Sequence, residues 1–364
     1  MQEKIYQKYC QLVNNTAIPT GLSKDKTLLL KKPLIDFIVK NTPRQLYKFR
    51  ACNERNIDAF RNQQIWFGTG SQMNDDFDAR LYCDKVWLSN AWKSQIADDG
   101  KLKVITEYQK LGTIPPYIQK FFNSDVLSVL KANAATMDWD KLNAETIAMV
   151  EKLINVQLPF IDQAEQTSMK ISSFSEDISS PYMWGHYADN NTGFALAYDF
   201  RNANYNDHNL PISEIYPIVY NDELLDATYF VGYLMQYTIA NIIANLSGFP
   251  MDVFYSVIDN FIQCPDLFMQ IKCLIHKSTL WDKEKEWRMT LSRTAPHIKN
   301  TFVIKKPCAI YLGRKIKDTD ELILRNIAYK QQIPVYKMAI DDTSKEYRLN
   351  AIRQKNTAKQ LLLQ

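Results

Sequence analysis

The order of strand-like and helix-like segments is the feature that most restricts the fold of this chain. Short apolar or alternating segments, such as LYKFR at 46–50 and GFALAYDF at 193–200, predict strands. They are separated by stretches with a helical apolar period at about 91–165 and 222–280. This order is not the regular βαβ alternation of a parallel sheet. The sequence therefore predicts an α+β fold with a mixed, mostly antiparallel sheet, N-terminal helices and inserted helical segments.

Composition and charge indicate one large globular domain. The chain has 364 residues, of which 46% are hydrophobic and 23% are charged, as in a folded globular protein. We expect a single domain over 1–364, with helical insertions at 91–165 and 222–280 and a helical C-terminal tail at 344–364. The net charge of +4 is spread along the chain, so the electrostatic case for nucleic-acid binding is weak.

The sequence favours a cytoplasmic protein over a membrane or secreted one. The first residues, MQEKIYQKYCQLV, lack the apolar core of a secretory signal. The stretch 227–251 carries no charge, but Gln236, Asn241 and Asn245 interrupt it, which favours a buried or amphipathic helix over a membrane span. The six cysteines include no CxxC pair and are expected to be reduced thiols.

Several common cofactor signatures do not occur in the sequence. It contains no GxGxxG, GxxxxGK[ST] or GxSxG motif, and no histidine pair has metal-ligand spacing, so no metal site is expected. Three clusters of polar residues among aromatic ones are the candidates for chemistry.

The first cluster joins LYKFR to WFGTGSQMNDDFD. Arg50 ends the first segment, Trp66 begins the second, and Asn74, Asp76 and Asp78 lie in the polar turn that follows. An arginine at a strand end can hold a phosphate with its planar fork of donors. In the structural alternative, Arg50 pairs with an aspartate, and Asn74 and Asp78 form side-chain turns.

The second cluster is SSFSEDISSPYMWGHYADNNTGF. Ser173 and Ser175 are two residues apart and share one face of a predicted strand. The short helix that follows places Trp184, His186 and Tyr187 close together. His186 is a candidate general acid or base, and the structural alternative is that it packs on Trp184.

The third cluster is KSTLWDKEKEWRM, which begins at Lys277 and includes Trp281. If residues 284–288 are extended, Glu284, Glu286 and Arg288 share one face, with the two carboxylates about 7 Å apart. Like charges at this distance raise one pKa unless a cation such as Arg288 intervenes. The structural alternative is an ion-pair network on an edge strand, which stabilises a fold only weakly.

The three clusters, taken in order with AIYLG at 309–313, resemble a widespread bacterial family, the domain of unknown function 2971. Its members carry "lYKYR", "FNDPFD", "cFSe…MWsHYa" and "W.yE.EWR" motifs, and the resemblance covers most of residues 45–340. This chain has Asn74-Asp75-Asp76 where the family favours Asn-Asp-Pro, and Gly185 where serine is usual. The family name implies no function.

A weaker resemblance is to the arginine–serine–glutamate pattern of ADP-ribosyltransferases. It implies NAD as substrate, Arg50 as the phosphate anchor, Ser173 or Ser175 in the nicotinamide-ribose pocket, and aromatic residues on nicotinamide, with Trp184 and Tyr187 the candidates. It also implies that Glu286 stabilises the ribosyl transition state and that Glu284 orients the acceptor, with no metal. Trp66, Asn74, Asp78, Lys277, Trp281 and Arg288 would support this site.

The enzyme hypothesis requires Arg50, Ser175, His186 and Glu286 to converge on one aromatic-lined cleft, in a protein of bacterial defence or toxin type with a macromolecular acceptor. Two alternatives stay open. One is a non-catalytic module that senses a nucleotide or a partner protein. The other is a metal-dependent hydrolase or nuclease that uses Asp76, Asp78, His186 and Glu286.

Overall fold

A computed structural model of the chain describes residues 1–98, 148, 151–152, 155–156, 169–201, 213–236, 266–291 and 300–355. Within this part of the chain the helices are α1 (Glu3–Asn15), α2 (Lys24–Asn41), α3 (Glu54–Arg61), α4 (Lys85–Asp98), α5 (Pro181–His186), α6 (Met269–Ile275) and α7 (Asp318–Lys330), and residues 148, 151–152, 155–156 and 228–236 are also helical. Polar residues cap several of them. Ser23, Asn53 and Ser180 accept hydrogen bonds from backbone N–H groups at the starts of α2, α3 and α5.

The strands in the described part of the chain are β1 (Leu46–Arg50), β2 (Gln64–Trp66), β3 (Gly68–Thr69), β4 (Lys170–Ser175), β5 (Phe194–Tyr198), β6 (Ser213–Pro217), β7 (Val219–Asn221), β8 (His276–Ser278), β9 (Glu286–Leu291), β10 (Thr301–Val303), β11 (Ala309–Leu312), β12 (Val335–Ile340) and β13 (Leu349–Gln354). The main sheet has nine of them, eight in the order β13-β12-β11-β5-β1-β4-β9-β6 and β3, which also pairs with β4. Strands β11 and β12 are parallel and the other neighbours are antiparallel, which confirms the predicted mixed, mostly antiparallel sheet.

The register assigns side chains to the two faces of the sheet, because directly opposed residues of antiparallel strands point to the same side. Tyr47 is opposite Ser175, and Ser175 is opposite Glu286, so these three share a face. Arg50 is three residues after Tyr47 and points to the other side, as does Lys48. We call the two sides the Tyr47 face and the Arg50 face.

Helices and loops cover both faces with apolar side chains. On the Arg50 face, Trp287 belongs to the large core, to which α1 and α2 contribute Tyr9 and Leu34. On the Tyr47 face, α5 contributes the buried Trp184, whose ring meets that of Phe49 edge-on at 5.2 Å. The two sides of β1 therefore belong to different environments.

Three expectations about elements need correction. Residues 276–278, expected to be helical, form β8, because their backbone pairs with the parallel strand β7. The expected helical tail instead contains β13, which is paired with β12 along its whole length. The structural alternative for residues 286–291, ion pairs on an edge strand, is wrong, because this segment is β9, an interior strand between β4 and β6. Most of the expected insertion at 91–165, residues 237–265 and residues 356–364 lie outside the described part of the chain.

Among the helices in the described ranges, none has the length and apolar character needed to cross a bilayer.

Candidate functional site

A cavity of about 160 Å³ lies on the Tyr47 face where β1 and β4 separate. The two strands share one pair, Tyr47 opposite Ser175, whereas β1 pairs with β5 along its full length. Beyond this pair, Lys48 Nζ reaches across and donates to the Ser173 carbonyl at 2.8 Å. We call this space the carboxylate cavity. It is lined by Tyr47, Lys48, Phe49, Met73, Asn74, Asp78, Ser173, Phe174, Ser175, Met183, Tyr187, Lys277, Glu284 and Glu286.

Arg288 is a fully buried guanidinium that holds two carboxylates of this cavity. Its Nη1 and Nη2 donate to the two oxygens of Asp78 at 2.7 and 3.0 Å. Its Nε and Nη2 donate to the two oxygens of Glu286 at 2.9 and 3.1 Å. Nη1 also donates to the Leu274 carbonyl at 2.5 Å. Bidentate arginine–carboxylate pairs of this kind fix the orientation of the carboxylate as well as its charge, so the Glu286 side chain is rigidly held.

Lys277 is the second buried cation of the cluster. Its Nζ lies 2.8 Å from Glu284 Oε2, 3.2 Å from Glu286 Oε2 and 4.0 Å from Asp78 Oδ2. The same ammonium lies 4.8 Å from the centroid of the Trp281 ring. Three carboxylates therefore share Lys277 and Arg288, which leaves one negative charge in excess unless one carboxylate carries a proton.

The backbone at Lys285 brings the two glutamates together. Glu284 ends the 3-10 helix Thr279–Glu284, Lys285 is left-handed with φ 44° and ψ 51°, and Glu286 begins β9. The expectation that Glu284 lies on the same strand as Glu286 is therefore wrong. The shared face of Glu286 and Arg288 is confirmed, because both lie within β9 two residues apart.

Glu284 is held at both its side chain and its backbone. The Tyr187 hydroxyl donates to Glu284 Oε1 and accepts a hydrogen bond from Asn74 Nδ2 at 2.9 Å. Ser175 Oγ donates to the Glu284 carbonyl at 2.6 Å and accepts from Asp177 N at 3.2 Å. Ser175 thus fixes the turn at Glu284, and Ser173, which also lines the cavity, helps to lower the pKa of Glu286.

The environment pushes the pKa values of the two glutamates apart. Burial alone would raise the pKa of Glu286, but Arg288 and Lys277 together hold it at about 2. Burial, and then repulsion from Glu286, raise the pKa of Glu284 above its ordinary value. Burial likewise raises the pKa of Asp78, against the attraction of Arg288. Glu286 is therefore ionised at neutral pH, and Glu284 is the glutamate of the pair that takes up a proton more readily.

Arg50 lies in a different cavity, of about 430 Å³, which we call the arginine cavity. It is lined by Lys48, Arg50, Arg55, Asn56, Asp58, Ala59, Gln64, Trp66 and Thr301. Arg50 Nη1 donates to Asn56 Oδ1 at 3.1 Å, so the expected pairing of Arg50 with an aspartate of 74–78 is also wrong. Trp66, expected to support the glutamate site, lines this second cavity instead.

His186 and Trp184 are also placed away from the carboxylate cavity. His186 is exposed, and its ring lies 4.3 Å from that of Tyr182 rather than on Trp184. Trp184 is buried in the core, where Nε1 donates to the Ile178 carbonyl at 2.7 Å. The expected convergence of Arg50 and His186 with Glu286 is therefore wrong. Arg50 faces the other side of the sheet, and His186 projects from α5 in a different direction from Tyr187.

Among the residues that the sequence did not point to are Lys48, which lines the cavity, and Tyr220, which bonds to the Glu286 backbone. Lys48 is the one charged residue in the otherwise apolar segment LYKF. No local sequence pattern predicts that its side chain spans the gap between β1 and β4. Burial, and then repulsion from Arg50, lower the pKa of Lys48 to about 7. The Tyr220 hydroxyl accepts a hydrogen bond from Glu286 N at 2.8 Å, and nothing in the sequence links these residues.

The residues proposed for a metal-dependent site are not gathered together. Within the described ranges, no group of three or more His, Cys, Asp and Glu side chains has the arrangement of a metal site. Asp76 is exposed and does not line the cavity, and Asp78 and Glu286 are both bonded to Arg288. A cation here would have to displace a buried guanidinium.

A comparison with family sequence models matches residues 183–289 to a family described as a protein of unknown function (DUF2971). The match supports the family resemblance over that segment, which is under a third of the chain and includes Tyr187, Lys277, Glu284, Glu286 and Arg288. No match to a curated protein or to a solved structure was found. The ADP-ribosyltransferase resemblance, the bacterial origin and the defence or toxin role stay predictions.

Proposed function

We propose that the carboxylate cavity is a catalytic site for metal-free cleavage or transfer at a glycosidic bond, with the nicotinamide–ribose bond of NAD as the substrate bond. The observation that carries this proposal is the pair Glu284 and Glu286, whose pKa values are shifted in opposite directions. A pair of carboxyl groups separated in this way divides the roles of proton carrier and fixed anion between its members.

The negative charge of the Glu286 carboxylate can stabilise the positive charge that develops on the ribose in such a reaction. When the bond from ribose C1′ to the nicotinamide nitrogen breaks, its electron pair leaves with neutral nicotinamide and positive charge develops on the ribose. The Glu286 carboxylate stabilises that charge because Lys277 and Arg288 hold it ionised and in place. This role for Glu286 does not use Arg50, so it departs from the arginine–serine–glutamate arrangement and rests on the ion-paired carboxylate alone.

Glu284 then serves the incoming nucleophile. An O–H group attacks C1′, the new C–O bond forms, and its proton passes to the Glu284 carboxylate, from which it is released to water. A raised pKa makes Glu284 the better proton acceptor of the two. Tyr187 and Ser175 orient it from the side-chain end and the backbone end.

The size of the cavity limits how much of the substrate it encloses. Its volume of about 160 Å³ is below the roughly 300–1,000 Å³ of sites that enclose a whole small molecule. It suits one ring, and Tyr47, Phe49 and Tyr187 supply aromatic walls for a planar cationic ring. The rest of NAD would lie outside it.

The test is incubation of the pure protein with NAD, with and without cell lysate, followed by mass spectrometry for nicotinamide and for modified protein or nucleic acid. We expect release by the wild type and a fall of at least about 100-fold in Glu284→Gln, since positioned acid–base groups contribute roughly 10²–10⁴-fold. Glu346→Gln, at an exposed glutamate, is the matched control and should match the wild type. No nicotinamide release under either condition would overturn the proposal.

A non-catalytic binding module is the second candidate, and one observation favours it. Both oxygens of Glu286 already accept hydrogen bonds from cations, as expected of a structural ion pair. In that case Glu284→Gln should weaken NAD binding in calorimetric titration while the wild type releases no nicotinamide.

A further inference from the structure

Arg50 is a buried cation whose hydrogen bonds are incomplete. Its side chain is in the interior, with the residue 7% exposed, and Nη1 donates to Asn56 Oδ1 at 3.1 Å. Nε and Nη2 have no hydrogen-bond partner among the described residues. These two nitrogens form the side-on fork with which arginine binds an oxyanion. Buried charged donors are ordinarily paired, so two unpaired donors at this depth indicate a ligand position beside Arg50.

The cavity that Arg50 lines is positively charged. Arg50 and Arg55 supply two permanent cations to its lining, Lys48 adds a third basic side chain, and Asp58 supplies the one carboxylate. Asp58 is paired with Arg61, which does not line the cavity. An anion that enters here therefore meets an excess of positive charge without displacing an existing partner of Arg50.

The arginine cavity is also large enough for more than a bare ion. Its volume of about 430 Å³ is within the roughly 300–1,000 Å³ of small-molecule sites. The Arg55 guanidinium lies 5.5 Å from the centroid of the Trp66 ring. These two planar groups together form one wall of the cavity. Asn56, Gln64 and Thr301 add polar groups to the lining.

We propose that the arginine cavity is a second binding site, on the face of the sheet opposite the glutamates, in which the Arg50 fork holds the phosphate group of a small phosphorylated ligand. The site does not depend on the proposed reaction at Glu284 and Glu286. Lys48 lines both cavities, so a phosphate beside Arg50 also changes the electrostatic environment of the glutamates.

The test is calorimetric titration of the full-length protein with inorganic phosphate, with AMP and with adenosine. We expect AMP to bind and adenosine to bind at least about tenfold more weakly, because only AMP carries the group that Arg50 would hold. The phosphate arm distinguishes a site for the free ion from one that needs the ester. Binding of neither phosphate nor AMP, or equal binding of AMP and adenosine, would overturn the proposal.

Two substitutions separate a ligand site from a structural role. Arg50→Gln should weaken AMP binding at least about tenfold, and Arg50→Lys should weaken it as well, because a lysine keeps the charge but loses the fork. Arg348→Gln, at an exposed arginine on the edge of the sheet, should bind AMP like the wild type.

Thermal unfolding gives an independent readout. Because Arg50→Gln removes a buried charge with two unpaired donors, its melting midpoint should equal or exceed that of the wild type. A lower midpoint together with unchanged AMP binding would make Arg50 a structural residue and contradict the proposal. Nicotinamide release plays no part in these measurements, so the two proposals fail separately.

Discussion

At the scale of residues, the candidate site depends on the backbone of Lys285. A left-handed residue between Glu284 and Glu286 turns the chain, so that one carboxylate comes from a 3-10 helix and the other from a strand. Both then reach Lys277. The sequence pattern ExE suggests an extended segment, because non-glycine residues rarely adopt positive φ. The proximity of the Glu284 and Glu286 carboxylates was expected, but the left-handed turn that produces it was not.

Glu286→Gln should lower the free energy of unfolding at pH 7 by about 3–5 kcal/mol, because it leaves Lys277 and Arg288 buried with fewer anions. The pKa of Glu286 is lowered from 4.5 to about 2, so its stabilisation is complete above about pH 4.5 and is lost as pH falls towards 2. The difference between wild type and variant, measured by urea unfolding, should therefore shrink in acid.

Glu346→Gln is the control for this change, since Glu346 is exposed and pairs with the exposed Arg348. It should change the free energy of unfolding by no more than about 0.5 kcal/mol. A Glu286→Gln effect of the same size, or one that grows in acid, would show that Glu286 is not the buried anion described here.

At the scale of elements, the separation of β1 from β4 creates the carboxylate cavity, and close packing around Arg50 holds β1 in place. A Cβ at Gly193 would lie 2.2 Å from the Arg50 carbonyl oxygen and 2.9 Å from that of Ala188, both of them backbone atoms. A Cβ at Gly185, within α5, would meet nothing within 4 Å. A side chain at position 193 would therefore force the backbone to move, whereas one at position 185 would fit without any change.

Gly193→Ala should lower the free energy of unfolding by roughly 1–3 kcal/mol, because backbone must move to admit the methyl group. Gly185→Ala should leave it unchanged or raise it by up to about 1 kcal/mol, since alanine is the better helix former. Denaturant midpoints measured side by side test the pair. Equal effects of the two substitutions would contradict the packing described around Arg50.

Local periodicity predicted the segments of β1, β4 and β9, because alternation and length are properties of the segment itself. It did not predict that β9 is central, since strand order depends on contacts between distant residues. The ion pairs expected on an edge strand are for that reason buried. The side of the sheet to which Arg50 points follows from register with β4 and β5, which no motif in LYKFR encodes.

At the scale of the whole molecule, one nine-stranded sheet separates two cavities of different charge. One contains three carboxylates with buried cations, and the other contains three basic side chains with a single carboxylate. The sequence motifs predicted most of the residues of the first cavity but assigned Arg50 and His186 to it as well. Order along the chain can identify a set of polar residues, but it cannot assign them to the sides of a sheet.

The pH dependence of nicotinamide release from NAD tests the central claim most directly, because it links the reaction to the separated pKa values of Glu284 and Glu286. The wild-type rate should rise with pH as Glu284 loses its proton and becomes the base, with an apparent pKa above 4.5. In Glu284→Gln the rate should be low and without this rise. No release by the wild type, or the same pH profile in wild type and Glu284→Gln, would contradict the account.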